Sequence, residues 1–101
     1  MKMMTSQEQK EFIEKIGFVQ QIKKLPFVEQ VILFGSRARG NAGKFSDIDI
    51  TVVCPRATIQ EWFEVIDIVD NAPTLLSIDC VRFDEADKDL QQKIKKEGIV
   101  L

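Results

Sequence analysis

The strongest constraint in this sequence is a change of hydrophobic period. Gln30-Val31-Ile32-Leu33-Phe34 runs apolar without alternation and stops abruptly at Gly35. A short run of that kind predicts a strand covered on both faces. Before it, from about Thr5 to Lys24, the spacing is helical: Phe12, Ile13, Ile16, Val19 and Ile22 share one face, Thr5 with Glu8 fits a capping box, and Pro26 ends the segment. Gly17 is the weak point of that helix, by roughly 1 kcal/mol of propensity. After it, Ser36 to Ala42 is polar, basic and long enough for a helical turn, and Asp47 to Val53 predicts a second strand, stopped by Pro55. Thr58 with Glu61 opens another helix along Trp62, Val65, Ile66 and Val69, which ends at Pro73; Leu75 to Phe83 predicts a third strand. A last helix, capped by Asp84 or Asp87, runs through Glu97 to a stop at Gly98, and Ile99-Val100-Leu101 can add a short edge strand. Strands alternating with helices predict an α/β fold, a small sheet flanked by helices. A tight link between the first two strands allows either a parallel or an antiparallel pair.

At 101 residues the chain suits one domain, 1–101. The charge sum is −2 and the pI about 5.1, which argues against general nucleic-acid binding through bulk positive charge. The absence of histidine removes Ser-His-Asp and Cys-His nucleophiles and every imidazole metal site. Cys54 and Cys80 form no metal-ligand spacing and read as small buried hydrophobes of a reducing compartment. The start, Met1 to Glu8, has no apolar leader, and no apolar run approaches the ~20 residues that span a bilayer, so a cytoplasmic protein without membrane association is expected.

Asp47 and Asp49 stand two apart at the start of a strand, so their side chains share a face while Ile48 and Ile50 turn to the core. Asp79 lies mid-strand between apolar neighbours. Two such carboxylates, roughly 7 Å apart, repel by on the order of 2 kcal/mol at an effective dielectric near ~20, a cost that a divalent cation cancels. Mg²⁺ suits oxygen ligands shared with substrate phosphates. Taken alone, Asp-x-Asp also reads as a turn residue opening a strand, and Asp79 as half of an ion pair with a nearby arginine. Gly35-Ser36 directly follows a buried strand, where glycine lets backbone approach a ligand and Ser36 adds a hydroxyl. Arg37, Arg39 and Lys44 follow with no acid before Asp47, although an ordinary turn with solvated arginines has the same look. The P-loop fails because Asn41-Ala42 follow Gly40, the dinucleotide fingerprint fails because no Gly-x-Gly is present, and the EF-hand fails at Thr51-Val52.

The combination is more specific than its parts. Leu33-Phe34-Gly35-Ser36-Arg37-Ala38-Arg39-Gly40, then Ser46-Asp47-Ile48-Asp49, with a later strand acid at Asp79, resembles the minimal nucleotidyltransferase (MNT) family of the DNA polymerase beta-like superfamily over essentially the whole chain. The resemblance implies a nucleotidyltransferase fold in which Gly35 and Ser36 hold the triphosphate of ATP, Arg37 and Arg39 neutralise phosphate charge, and Asp47, Asp49 and Asp79 hold Mg²⁺, two ions in all. Asp79 also helps activate the acceptor hydroxyl. It further implies AMP transfer from ATP to a tyrosine of a helical HEPN toxin, the small chain acting as antitoxin. These 101 residues contain no tyrosine, so such an acceptor belongs to a partner. The alternative is a catalytically weak nucleotide-binding module that neutralises a helical partner by covering it. Trp62 reads as core or as an interface residue, and Lys44 as solvated.

Overall fold

A computed structural model of the chain describes residues 4–101. The Met1–Met3 start, part of the segment read for a leader, lies outside the described residues. The N-terminal helical segment is two helices, α1 (Ser6–Ile16) and α2 (Phe18–Lys23), rather than one. Gly17 separates them with φ +93°, a left-handed conformation that closes α1 through its N–H to the Glu14 carbonyl. The break lets Ile13 of α1 and Phe18, Val19 and Ile22 of α2 all reach the core. Then follow β1 (Gln30–Phe34), the short helix α3 (Gly35–Arg39), β2 (Ile48–Val53), α4 (Ile59–Asp70), β3 (Ile78–Arg82), a 3₁₀ turn over Phe83–Glu85, α5 (Lys88–Glu97) and β4 (Ile99–Val100). Both Thr-x-x-Glu boxes form, at Thr5/Glu8 and at Thr58/Glu61. Asp87, not Asp84, caps α5, accepting from the Leu90 N–H at 2.8 Å, while Asp84 pairs with Arg82. The third strand is shorter than its apolar pattern: Leu75 is fully exposed, and pairing starts only at Ile78.

The sheet is mixed, in the order β3-β2-β1-β4. β1 and β2 are antiparallel, β1 and β4 antiparallel, and β2 and β3 parallel. The short α3 connection returns the chain beside β1, whereas the parallel partner β3 is reached through the α4 crossover. One sheet face, Val31, Leu33, Ile48, Ile50 and Val52, packs with Ile13, Phe18, Val19, Ile22, Val65 and Val69 from α1, α2 and α4. The opposite face carries Ile32 and Phe34 on β1, Asp49 and Thr51 on β2, and Asp79 and Val81 on β3, by strand alternation. Thr51 is fully buried there and its hydroxyl donates to the Val81 carbonyl at 2.8 Å, tying β2 to β3 two residues from Asp49. No helix among the described residues is long and apolar enough to cross a membrane.

Both cysteines are free; Cys54 is buried and Cys80 is partly covered and packs against the core. Burial raises both thiol pKa values, that of Cys80 to about 12, and the thiolate is the reactive form. Neither thiol is expected to react with Ellman's reagent at pH 8 in the native state, and both should react at once in denaturant. Rapid native labelling would contradict this packing. Trp62 lies against the core with the Arg82 guanidinium 6.0 Å from its ring centroid.

Candidate active site

Register builds the site. Phe34, Asp49 and Asp79 are Cα partners across β1, β2 and β3, so the chain turns into Gly35-Ser36 directly beside the two carboxylates. Gly35 has φ +74°, and a Cβ at this position would collide with the Asp49 carboxylate. Only a residue without a side chain allows the acid and the turn to occupy adjacent space. Ser36, half-buried, is the next residue of α3. Asp47 is exposed and immediately precedes β2.

The electrostatics of this cluster are unfavourable as it stands. Burial pushes the Asp49 carboxyl up to about 6, helped by the hydrogen bond that its protonated form donates to Asp79, by the charge of Asp79 and by that of Asp47. The Arg39 guanidinium opposes that shift. Arg39 is half-exposed on α3 and is held by Glu97 of α5, Nη1 to Oε2 3.3 Å. Among the described residues no three acidic side chains are already gathered as a cation site. Of the three expected acids, the structure sets Asp49 and Asp79 side by side on paired strands, while Asp47 lies one residue before β2 with its side chain exposed.

One expectation is corrected. Arg37, read as a phosphate ligand, is 1% exposed, and its guanidinium is engaged inside the protein. Nε and Nη2 donate to the Ser46 carbonyl at 3.1 and 2.7 Å, Nη2 also to the Lys44 carbonyl at 3.2 Å, and Nη1 to Gln9 Oε1 at 3.0 Å. The Phe12 ring lies beneath it, centroid 5.2 Å away. Alternate residues of the Gly-Ser-Arg-Ala-Arg turn face opposite ways, so Arg37 points under α1 while Arg39 remains near the acids. Lys44 is exposed, as expected, with its ammonium 5.8 Å from the exposed Phe45 ring. Two participants were not legible as such: Glu97, for which the sequence carried no signal, and Gln9. The latter had one, since a glutamine four residues before Ile13 falls on the apolar face of α1.

The polymerase beta nucleotidyltransferase family model matches residues 14–101. The chain belongs to this family. Nucleotidyltransferase folds of the minimal kind superpose on it. A minimal nucleotidyltransferase structure matches with TM-score 0.67 and 21% identity over 92% of this chain and 95% of that one. A toxin-antitoxin structure with AMP-PNP matches with TM-score 0.64 and 22% identity over 91% of this chain and 70% of that one. An MNT antitoxin of Shewanella oneidensis, in complex with a tri-AMPylated HEPN toxin, matches with TM-score 0.56 and 20% identity over 95% and 71%. Among proteins with curated functions, none matches this sequence. The acidic cluster described above fits a hard divalent cation: its donors are carboxylates only, and Asp49 carries a charge that the fold alone does not neutralise.

Proposed function

We propose that this nucleotidyltransferase transfers AMP from ATP, in the presence of Mg²⁺, to a tyrosine hydroxyl on a helical HEPN-type protein and thereby acts as its antitoxin. The observation that carries this reading is the adjacency of the Asp49–Asp79 pair to the Gly35-Ser36 turn, where a phosphate chain and an acidic pair would meet. Asp47, Asp49 and Asp79 would hold the metal, which, when bound, neutralises charge on the phosphates and on the attacking and leaving oxygens. The protein's own contribution is positional and electrostatic. Gly35 admits the triphosphate beside Asp49, and Ser36 offers a hydroxyl and a backbone N–H to a phosphate oxygen. Arg39, steadied by Glu97, places positive charge near the same point. Asp79, on the edge strand β3 and exposed, would take the acceptor's proton from outside.

Support for the acceptor is of two kinds. The Shewanella relative is found with an AMPylated HEPN toxin, and this sequence contains no tyrosine of its own. The test is incubation of the chain with its candidate HEPN partner, ATP and Mg²⁺, followed by mass spectrometry of the partner. The expected result is added AMP on tyrosine that disappears with Asp47→Ala. Tight complex formation with unchanged masses would instead establish a binding module.

A further inference from the structure

We infer that Arg37 is a positioning residue that holds Asp47 in place for metal binding, acting through the backbone of residues 44–46; this rests on the nucleotidyltransferase reading above. Ladder pairing secures β2 only from Ile48 onward: Ile48 is paired with Ile78, and its N–H donates to the Ser77 carbonyl at 2.9 Å. Asp47 lies one residue outside that ladder, with its side chain in solvent. The peptide that precedes it begins at the Ser46 carbonyl, and that oxygen accepts two N–H groups from the buried Arg37 fork. The same guanidinium holds the Lys44 carbonyl. Within the loop, Ser46 Oγ accepts from the Gly43 N–H at 2.8 Å and Ser46 N–H donates to the Gly43 carbonyl at 3.2 Å, so residues 43–46 form one closed turn clamped at its C-terminal end.

The clamp is itself fixed from the core side. Gln9, 2% exposed on α1, accepts from Nη1, and Phe12 supports the guanidinium plane. Each of the three nitrogens therefore has a defined partner, and a planar fork is the side chain that can reach two carbonyls and a side-chain amide together. The buried positive charge also attracts the Asp47 carboxylate. Arg37 thus does for Asp47 what the sheet does for Asp49 and Asp79. Supporting residues of this kind typically change metal affinity by 10–100-fold without touching the ion.

The experiment uses the full chain and Mn²⁺ as probe, with free Mn²⁺ measured by electron paramagnetic resonance in the presence of AMP-PNP. Wild type, Arg37→Lys and Gln9→Met are compared well below their melting temperatures, after circular dichroism has established that each is folded. Arg37→Lys is expected to weaken Mn²⁺ binding about tenfold, with the transfer rate recovering as Mn²⁺ is raised to saturation. Gln9→Met, which loosens the fork without removing it, should shift the Mn²⁺ affinity in the same direction by a smaller factor. Unchanged Mn²⁺ affinity in a folded Arg37→Lys chain, or a rate loss that saturating Mn²⁺ does not restore, overturns the inference and leaves the nucleotidyltransferase reading intact. If Arg37→Lys does not fold, unchanged Mn²⁺ affinity in Gln9→Met overturns it equally. Failure of the wild-type chain to bind Mn²⁺ with the nucleotide overturns both.

Discussion

Asp49→Asn is expected to remove transfer activity by about a thousandfold or more while making the metal-free chain more stable. The two effects have one cause. The Asp49 carboxyl is held at about 6 by burial, by Asp79 and by Asp47, against an ordinary value of 3.8. A carboxyl whose pKa is raised by folding favours the folded state while it is protonated. That contribution is complete below about pH 4 and is lost as pH rises through about 6. At pH 7 the metal-free fold therefore carries an ionised Asp49 at a cost of about 1–2 kcal/mol, allowing for its partial exposure. Asparagine keeps the shape and removes the charge. A gain of about 4–8 °C in melting temperature per kcal/mol is expected for a chain of this length. Mg²⁺ should stabilise wild type at pH 7, progressively less below pH 6 as protons compete for Asp49, and should leave Asp49→Asn unmoved. Thermal melts of both proteins across pH 5–8, with Mg²⁺ and with EDTA, make the measurement. Loss of stability in the metal-free Asn variant would show that Asp49 is not under charge stress.

Gly35→Ala is expected to cost both stability and activity, and Gly17→Ala supplies the comparison. Both positions have positive φ, +74° and +93°, so alanine meets a similar backbone penalty of roughly 1–2 kcal/mol at each. Their surroundings differ. A Cβ at Gly17 meets nothing within 4 Å, whereas at Gly35 it runs into Asp49. The flexible end of Asp49 has to give way, and displacement of a reacting group by about 1 Å costs about a hundredfold in rate. Gly35→Ala should thus lose activity about a hundredfold and lose the Mg²⁺-dependent rise in melting temperature. Gly17→Ala should melt earlier and transfer at the wild-type rate once folded. Equal activity in the two variants would mean that the close approach of Gly35 to Asp49 has no part in function.

Much of the frame was legible because its signals are local. Thr5/Glu8 and Thr58/Glu61 cap helices with side chains three residues apart, and the unbroken apolar run before Gly35 belongs to the central strand β1. The third strand is shorter than its sequence pattern because Leu75 and Leu76 extend that apolar pattern into a stretch that has no strand partner. The first helical pattern folds as two helices because the positive φ that breaks it is a property of how α1 and α2 must reach one core, to which glycine only consents.

The candidate site divides in the same way. Asp47, Asp49 and Asp79 stood out in one dimension because a carboxylate in or beside an apolar strand needs a reason, and Gly35-Ser36 because it ends such a strand. Three-dimensional packing decided the rest. Strand register made Asp49 and Asp79 neighbours, although 30 positions separate them in the chain. Side-chain direction within one short turn sent Arg37 inward and left Arg39 facing the acids, although both are arginines two residues apart. Charge and residue type are carried by sequence; whether a guanidinium meets phosphate or a buried carbonyl depends on which elements fold over it, and here those elements are α1 and the turn before Asp47.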